Sequence, residues 1–246
     1  MASLPIYQFY VELQDYTPII WRRFQVLGNV TEARLGYLNM TMFEMQARHL
    51  FCIDVMYRRN FYQAMGKSFS AEEIEKLFPP DKIKETCRYE VQNQMTVDFD
   101  DEEAENAVYA KISQLVSNSG DEMVLFYDYG DGWEVSITLE KIFEDKELPG
   151  RELPRVLEGN GYGIIEDCGG PGGLNKLARA FKKKSGKQYW EFCNWLGFEE
   201  LDLTSFDVDD MNYRLKKVPR IYADAYELGL EPTKQSLNLL MRKYKK

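Results

Sequence analysis

Alternating and helically spaced apolar positions divide the chain into a legible series of elements. IYQFYVEL (6–13) and PIIWRRFQVL (18–27) are β-rich runs separated by QDYT, whose Asp and Thr suit a turn. Leu35, Leu38, Met42 and Met45 recur at spacings of three and four. They predict a helix running from a cap at Asn29 or Thr31 to about His49. LFCIDVMY (50–57) reads as another strand. Ser70 followed by Glu73 is a capping-box pattern, opening a short helix that Pro79 and Pro80 end. The acidic run DFDDEEAE (98–105) suits a helix N-terminus, with Ala104, Val108, Ile112, Leu115 and Val116 continuing as its apolar stripe.

EMVLFYDYGDGWEVSITLEKIF (122–143) carries the clearest local pattern. Two β-rich arms flank YGDG, which has the Asp-Gly chemistry of a hairpin turn. Val135, Ile137 and Leu139 alternate with Glu134, Ser136 and Thr138, as in a strand buried on one face. The stretch EDCGGPGGL (166–174) then leads into a helix with Leu174, Leu177, Ala178 and Phe181 on one side. YWEFCNWLG predicts a short helix stopped by Gly197, DVDDMNYRLKK another capped by Asp207, and PTKQSLNLLMRKYKK a terminal amphipathic helix. Strands and helices mix without βαβ alternation. The expectation is an α+β fold: a compact domain over 1–217 with a mainly antiparallel sheet packed against helices, and a helical C-terminal extension over 218–246.

Composition narrows the function classes. The net charge of −9 over 246 residues disfavours nucleic acid as a partner, because phosphate affinity needs clustered Lys and Arg. The dense basic stretches, KKK at 182–184 and the terminal RKYKK, read as solvated helix faces. No apolar run reaches 18 residues, so no membrane partner is expected. MASLPIYQFYVEL alternates and carries charge, unlike a signal peptide. Four cysteines lie far apart without a CxxC pair, so free thiols and a cytoplasmic location are expected.

Candidate chemistry is sparse. EDCGGPGGL lacks the Lys-Ser/Thr of a phosphate-binding P-loop, and Glu166 and Asp167 oppose an anion there. A compact turn before a helix is the simpler reading. His49 is the only histidine, so any nucleophilic triad or zinc site would have to use it. A packing or capping role fits it better. Asp128 and Asp131 flank the hairpin turn; if that loop meets Glu166 and Asp167, four oxygen donors would suit a hard cation such as magnesium. Arg22 and Arg23 point to opposite faces of their strand, and an arginine paired with Asp128 or Asp131 would be structural glue.

TPIIWRRF, YDYGDGWEVSITLEKI and EDCGGPGGL, in this order, make the chain resemble the plasmid pRiA4b ORF-3-like family over roughly residues 5 to 217. The matching positions are Pro18, Trp21, Arg22 and Arg23, Tyr127 through Trp133, and Glu166 through Gly173. The resemblance implies a compact α+β domain and a link to mobile elements, with no settled activity; the resolvase label carried by some members conflicts with the acid excess. Where members carry further Cys and His, this chain has Gly163, Val135 and Phe51, keeping only Cys168 and His49 of that set. No metal, cofactor or catalytic residue is therefore expected. The expected ligand-binding set is Trp21, Arg22, Tyr127, Asp128, Asp131, Trp133, Glu166, Asp167 and Cys168. The favoured function is a non-catalytic binding or interaction module for a protein or small-molecule ligand. The alternative is a cation-dependent hydrolase or phosphoryl-transfer enzyme using the loop carboxylates.

Overall fold

The computed structural model describes residues 4–92 and 104–240. In chain order the elements are β1 (Ile6–Leu13), β2 (Trp21–Leu27), α1 (Glu32–Met42), β3 (Phe51–Val55), α2 (Tyr57–Met65), α3 (Ala71–Leu77), β4 (Cys87–Glu90) and β5 (Glu105–Asn106). There follow α4 (Ile112–Leu115), β6 (Glu122–Tyr127), β7 (Trp133–Phe143), β8 (Arg155–Asn160), α5 (Gly170–Lys183), α6 (Lys187–Leu196), α7 (Val208–Leu215), α8 (Val218–Leu228) and α9 (Lys234–Leu240). The strands form one sheet in the order β5-β4-β3-β6-β7-β1-β2-β8. Among the described residues, only the short β4–β5 pair is parallel. The architecture is α+β with a mainly antiparallel sheet, as expected.

Side-chain alternation places one apolar face of the sheet against the helices. Register aligns that face across the central strands: Phe9 opposes Leu139, Val11 opposes Ile137 and Leu13 opposes Val135, while Ile137 and Val135 also oppose Met123 and Leu125. All these side chains are essentially fully buried, and each contributes about 1.5–3 kcal/mol of transfer free energy. A bulge between Gln8 and Phe9 leaves Glu140 as the extra residue of β7. Its carboxylate lies with the polar network of the opposite face, where Arg23 and Gln8 donate to it. At the β8 edge, Asn212 of α7 accepts from the Val156 N–H at 2.7 Å and donates to its carbonyl at 3.0 Å, filling an exposed pairing position.

Locally encoded elements appear where expected. The capping box of Ser70 and Glu73 is formed, Asp207 accepts from the Asp210 N–H at 2.9 Å, and Gly197 stops α6 in left-handed backbone (φ 77°). Three expectations are corrected. The first helix ends at Met42 and not near His49, because Glu44 (φ 62°) and Ala47 (φ 58°) turn the chain, and the Glu44 carboxylate is taken by Arg214 of α7 in a buried ion pair. Tyr57 begins α2 and does not end a strand. The stripe expected over 104–116 is divided between β5, drawn into pairing with β4, and the single turn α4; the acidic run before 104 lies outside the described residues. Helix α8 falls within the expected helical extension, whereas strands β4 and β8 have no counterpart among the expected elements. Tyr222 and Tyr226 of α8 are buried in the same core as α1.

Glu32, in the first turn of α1, is completely buried, and neither carboxylate oxygen has a hydrogen-bond partner among the described residues. Burial pushes its pKa from 4.5 up to about 8. Folding therefore favours the protonated acid, so stability present at low pH is lost as pH rises from about 4.5 through 8. Replacing Glu32→Gln should remove this loss. In urea unfolding at pH 5 and pH 9, the difference between the two conditions should shrink by about 4 kcal/mol relative to the native chain.

Candidate functional site

Three loops at one end of the sheet build the site. The first is the hairpin between β6 and β7. Asp128 takes left-handed backbone (φ 53°), and its carbonyl accepts from the Gly132 N–H at 2.6 Å. Its Oδ1 accepts from the N–H groups of Gly130 (3.1 Å) and Asp131 (3.3 Å), an Asx-type turn that fixes the carboxylate. This occupies one oxygen and directs Oδ2 away from the turn.

The second loop carries the glycine stretch from β8 to α5, and it touches the first. Asp131 Oδ2 accepts from the Gly169 N–H at 3.1 Å. A Cβ at Gly170 (φ 66°) would sit 2.1 Å from the Asp131 carbonyl oxygen, so only glycine allows this approach. Glu166 is buried beneath the contact. Its Oε1 accepts from the Tyr127 hydroxyl (2.7 Å) and the Gln46 N–H (2.6 Å). Its Oε2 is buried and has no hydrogen-bond partner among the described residues.

The third is the segment between α1 and β3, which ends in His49. The Asp128 N–H donates to the Leu50 carbonyl, and Phe51 pairs with Tyr127, which brings His49 beside the hairpin. His49 Nε2 lies 3.4 Å from Asp128 Oδ2, 3.5 Å from Asp167 Oδ1 and 3.7 Å from Glu166 Oε2. The donor atoms of His49, Asp128 and Glu166 all fall within 4.8 Å of one another. Nε2 is buried and has no hydrogen-bond partner among the described residues, although the ring is partly open to solvent. Asp167, also in left-handed backbone (φ 59°), is exposed at the rim.

The electrostatics follow from burial. Desolvation raises the Glu166 pKa, opposed by the hydrogen bonds from Tyr127 and Gln46 and by nearby His49. Desolvation also raises the Tyr127 pKa, so its phenol remains a donor to Glu166. Cys168 is pushed up to about 12 by burial and then by the Asp131 charge, so it is a thiol at neutral pH. Its Sγ approaches the Gly170 carbonyl at 3.6 Å. The donor set is thus one imidazole nitrogen and carboxylate oxygens. A tetrahedral centre with bonds of 2.0–2.2 Å separates its donors by about 3.3–3.6 Å, close to the spacings around Nε2.

The structure brings Tyr127, Asp128, Asp131, Glu166, Asp167 and Cys168 together, and it adds His49. The other three expected residues lie apart from that centre. Trp21 stacks on Tyr10 (5.5 Å between ring centroids), with the Arg23 guanidinium over it. Trp133 is fully buried on the apolar face. Arg22 does not take up the expected pairing with Asp128 or Asp131 as its anchor. It is completely buried, donates to the carbonyls of Trp21, Asn160, Gly161 and Tyr162 at 2.6–2.8 Å, and lies 3.8 Å from the Phe206 ring centroid. It thereby fixes the exit of β8 that leads into the glycine stretch. His49 is the residue that sequence reasoning set aside. The signal that would have found it is the β3–β6 pairing, which puts the end of the 43–50 segment against Asp128.

The fold and site define an α+β protein with one helix-covered sheet face and a loop-built histidine–carboxylate centre. Residues 5–213 match the plasmid pRiA4b ORF-3-like protein family, and the chain belongs to that family. An uncharacterised protein, y4hQ, from Sinorhizobium fredii (strain NBRC 101917 / NGR234) is 34% identical over 86 residues; the match spans 35% of this chain and 43% of that relative. A protein of unknown function, MM3350, from Methanosarcina mazei Go1 has a crystal structure that shares the fold. Its TM-score is 0.64 at 22% identity, covering 84% of this chain and 97% of that one.

The contact between loops gives a direct expectation. Gly170→Ala forces a Cβ against the Asp131 carbonyl in left-handed backbone, and should lower unfolding free energy by about 1–3 kcal/mol in urea titration.

Proposed function

We propose that the protein is a binding module whose ligand-holding centre is a divalent metal cation held by His49, Asp128 and Glu166, with Asp167 at its rim. One observation carries this reading. Asp128 and Glu166 each have one oxygen occupied by fixed donors, while the second oxygen converges on a histidine nitrogen that has no hydrogen bond among the described residues. Outer hydrogen bonds of this kind orient metal ligands. A mixed nitrogen and oxygen set suits zinc or manganese better than magnesium, which prefers oxygen alone. Three protein ligands leave further coordination positions for a ligand oxygen or nitrogen from a protein or small molecule.

The chemistry extends the carboxylate set inferred from sequence, replacing an all-oxygen cage with one that includes the imidazole. Residues 1–217 are taken as the binding domain and 218–246 as its helical extension, in a cytoplasmic setting where the four cysteines remain thiols. The net charge of −9 argues against a nucleic-acid partner. Among the described residues no helix is long and apolar enough to cross a membrane. A link to mobile elements rests on the family relationship alone. Asp167 favours a second reading, cation-dependent hydrolysis, because its exposed carboxylate sits 3.5 Å from His49 Nε2, where a metal-bound water would be within reach.

Thermal melting of the chelator-stripped protein with zinc, manganese or magnesium tests the centre. At a metal concentration 100-fold above Kd, native-state binding should add about 2.7 kcal/mol, raising Tm by several degrees. His49→Ala and Glu166→Gln should remain folded and lose the shift. An unchanged Tm with all three metals at millimolar concentration overturns the proposal.

A further inference from the structure

We infer that helix α8 sets the metal affinity of this centre, through two tyrosine hydroxyls that hold the backbone of the His49 segment. The inference rests on the metal-binding reading above and assigns to Tyr222 and Tyr226 a positioning role within it.

The 43–50 segment has no regular structure to hold His49 in place. Beyond the C-cap at Phe43, Glu44 and Ala47 take left-handed backbone, and the chain reaches β3 only at Phe51. Its position comes from bonds to surrounding elements. Two lead toward the other loops of the site: Gln46 N–H donates to Glu166 Oε1 at 2.6 Å, and Arg48 N–H donates to the Tyr127 oxygen at 3.3 Å. A third joins the Phe43 carbonyl to the Ile164 N–H at 2.9 Å. On the opposite side, Glu44 pairs with Arg214 of α7. Tyr222 donates to the Met45 carbonyl and Tyr226 donates to the carbonyl of His49 itself.

These two tyrosines are well suited to act as fixed points. They lie four residues apart on α8, and so share one face of the helix. Both are buried. Tyr226 stacks on Tyr37 of α1 at 5.9 Å and meets Phe51 of β3 edge-on at 5.1 Å; Tyr222 packs on Tyr37 at 6.2 Å. The Tyr226 ring is therefore wedged between the helix before the segment and the strand after it, Tyr222 packs on that helix, and both hydroxyls reach the segment's carbonyls. The helix itself is bounded by Pro219 in its first turn and by Gly229 in left-handed backbone (φ 64°) after its last. It also lies beyond residue 213, where the family match stops. The ligand loops belong to the shared family region, whereas the clamp on His49 comes from the segment that follows it.

Tyr→Phe substitutions separate positioning from packing, since they keep the ring and remove only the donor. Cobalt(II) is the probe, because its visible spectrum reports the geometry of the bound ion. In the full-length protein, Tyr226→Phe should weaken cobalt binding about tenfold, in the range for outer hydrogen bonds around metal ligands, and change the visible band of the bound ion. Tyr222→Phe should act in the same direction. Tyr37→Phe removes a hydroxyl from the same aromatic cluster and serves as the control, with affinity and spectrum unchanged. Melting of the metal-free proteins reports any loss of folding separately. If native protein binds cobalt and the Tyr222 and Tyr226 variants bind it with native affinity and spectrum, the inference is overturned while the metal site stands. If native protein does not bind cobalt, the metal site and the clamp fall together.

Discussion

Burying a carboxylate with only one oxygen satisfied is costly, and the three loops of this protein are arranged around such a group. Glu166 Oε1 receives the Tyr127 hydroxyl from the end of β6 and the Gln46 N–H from the segment after α1. Those two bonds fasten the hairpin, the glycine stretch and the histidine-bearing segment to one another. The other oxygen remains without a hydrogen bond among the described residues and faces His49. An unsatisfied buried acceptor costs about 1–3 kcal/mol, and more when charged. A cation arriving at this point would complete the arrangement. Removing the bonds to Oε1 would take away the one point at which all three loops meet, leaving only contacts between pairs of them.

Much of the fold was legible because much of it is local. The hairpin over 122–143, the capping box at Ser70 and the Asp207 cap depend on residues within a few positions of one another, and sequence spacing describes them. What could not be read depends on distant partners. The end of α1 is fixed by Glu44 turning toward Arg214, 170 positions away. The stripe over 104–116 was interrupted because Glu105 and Asn106 pair with β4. Helix α8 lies in the expected helical extension, but its packing on α1 through Tyr222 and Tyr226 is a long-range contact that local spacing does not reveal.

The site was legible by half. Asp128, Asp131, Glu166 and Asp167 stood out as carboxylates in two turns, but their meeting depends on Gly170 lying against the Asp131 backbone. His49 drew attention as the lone histidine and was read as a packing residue, because nothing in its own neighbourhood announces a ligand. Gly163 stands where the structure leaves no room for a side chain. A Cβ there would lie 2.5 Å from the Phe43 carbonyl oxygen. The Phe43 backbone and the Glu44 side chain occupy the space that any side chain there would need.

Strand β8 ends the sheet beside β2, and the amide of Asn212 occupies both hydrogen-bonding groups of Val156 on its outer side. A side chain from α7 thus imitates the backbone of a neighbouring strand for the length of one residue. Any incoming chain that tried to extend the sheet from this flank would have to displace an amide already bonded twice. Self-association by strand addition is thereby opposed at its first contact, so copies of this protein would have to recognise one another elsewhere.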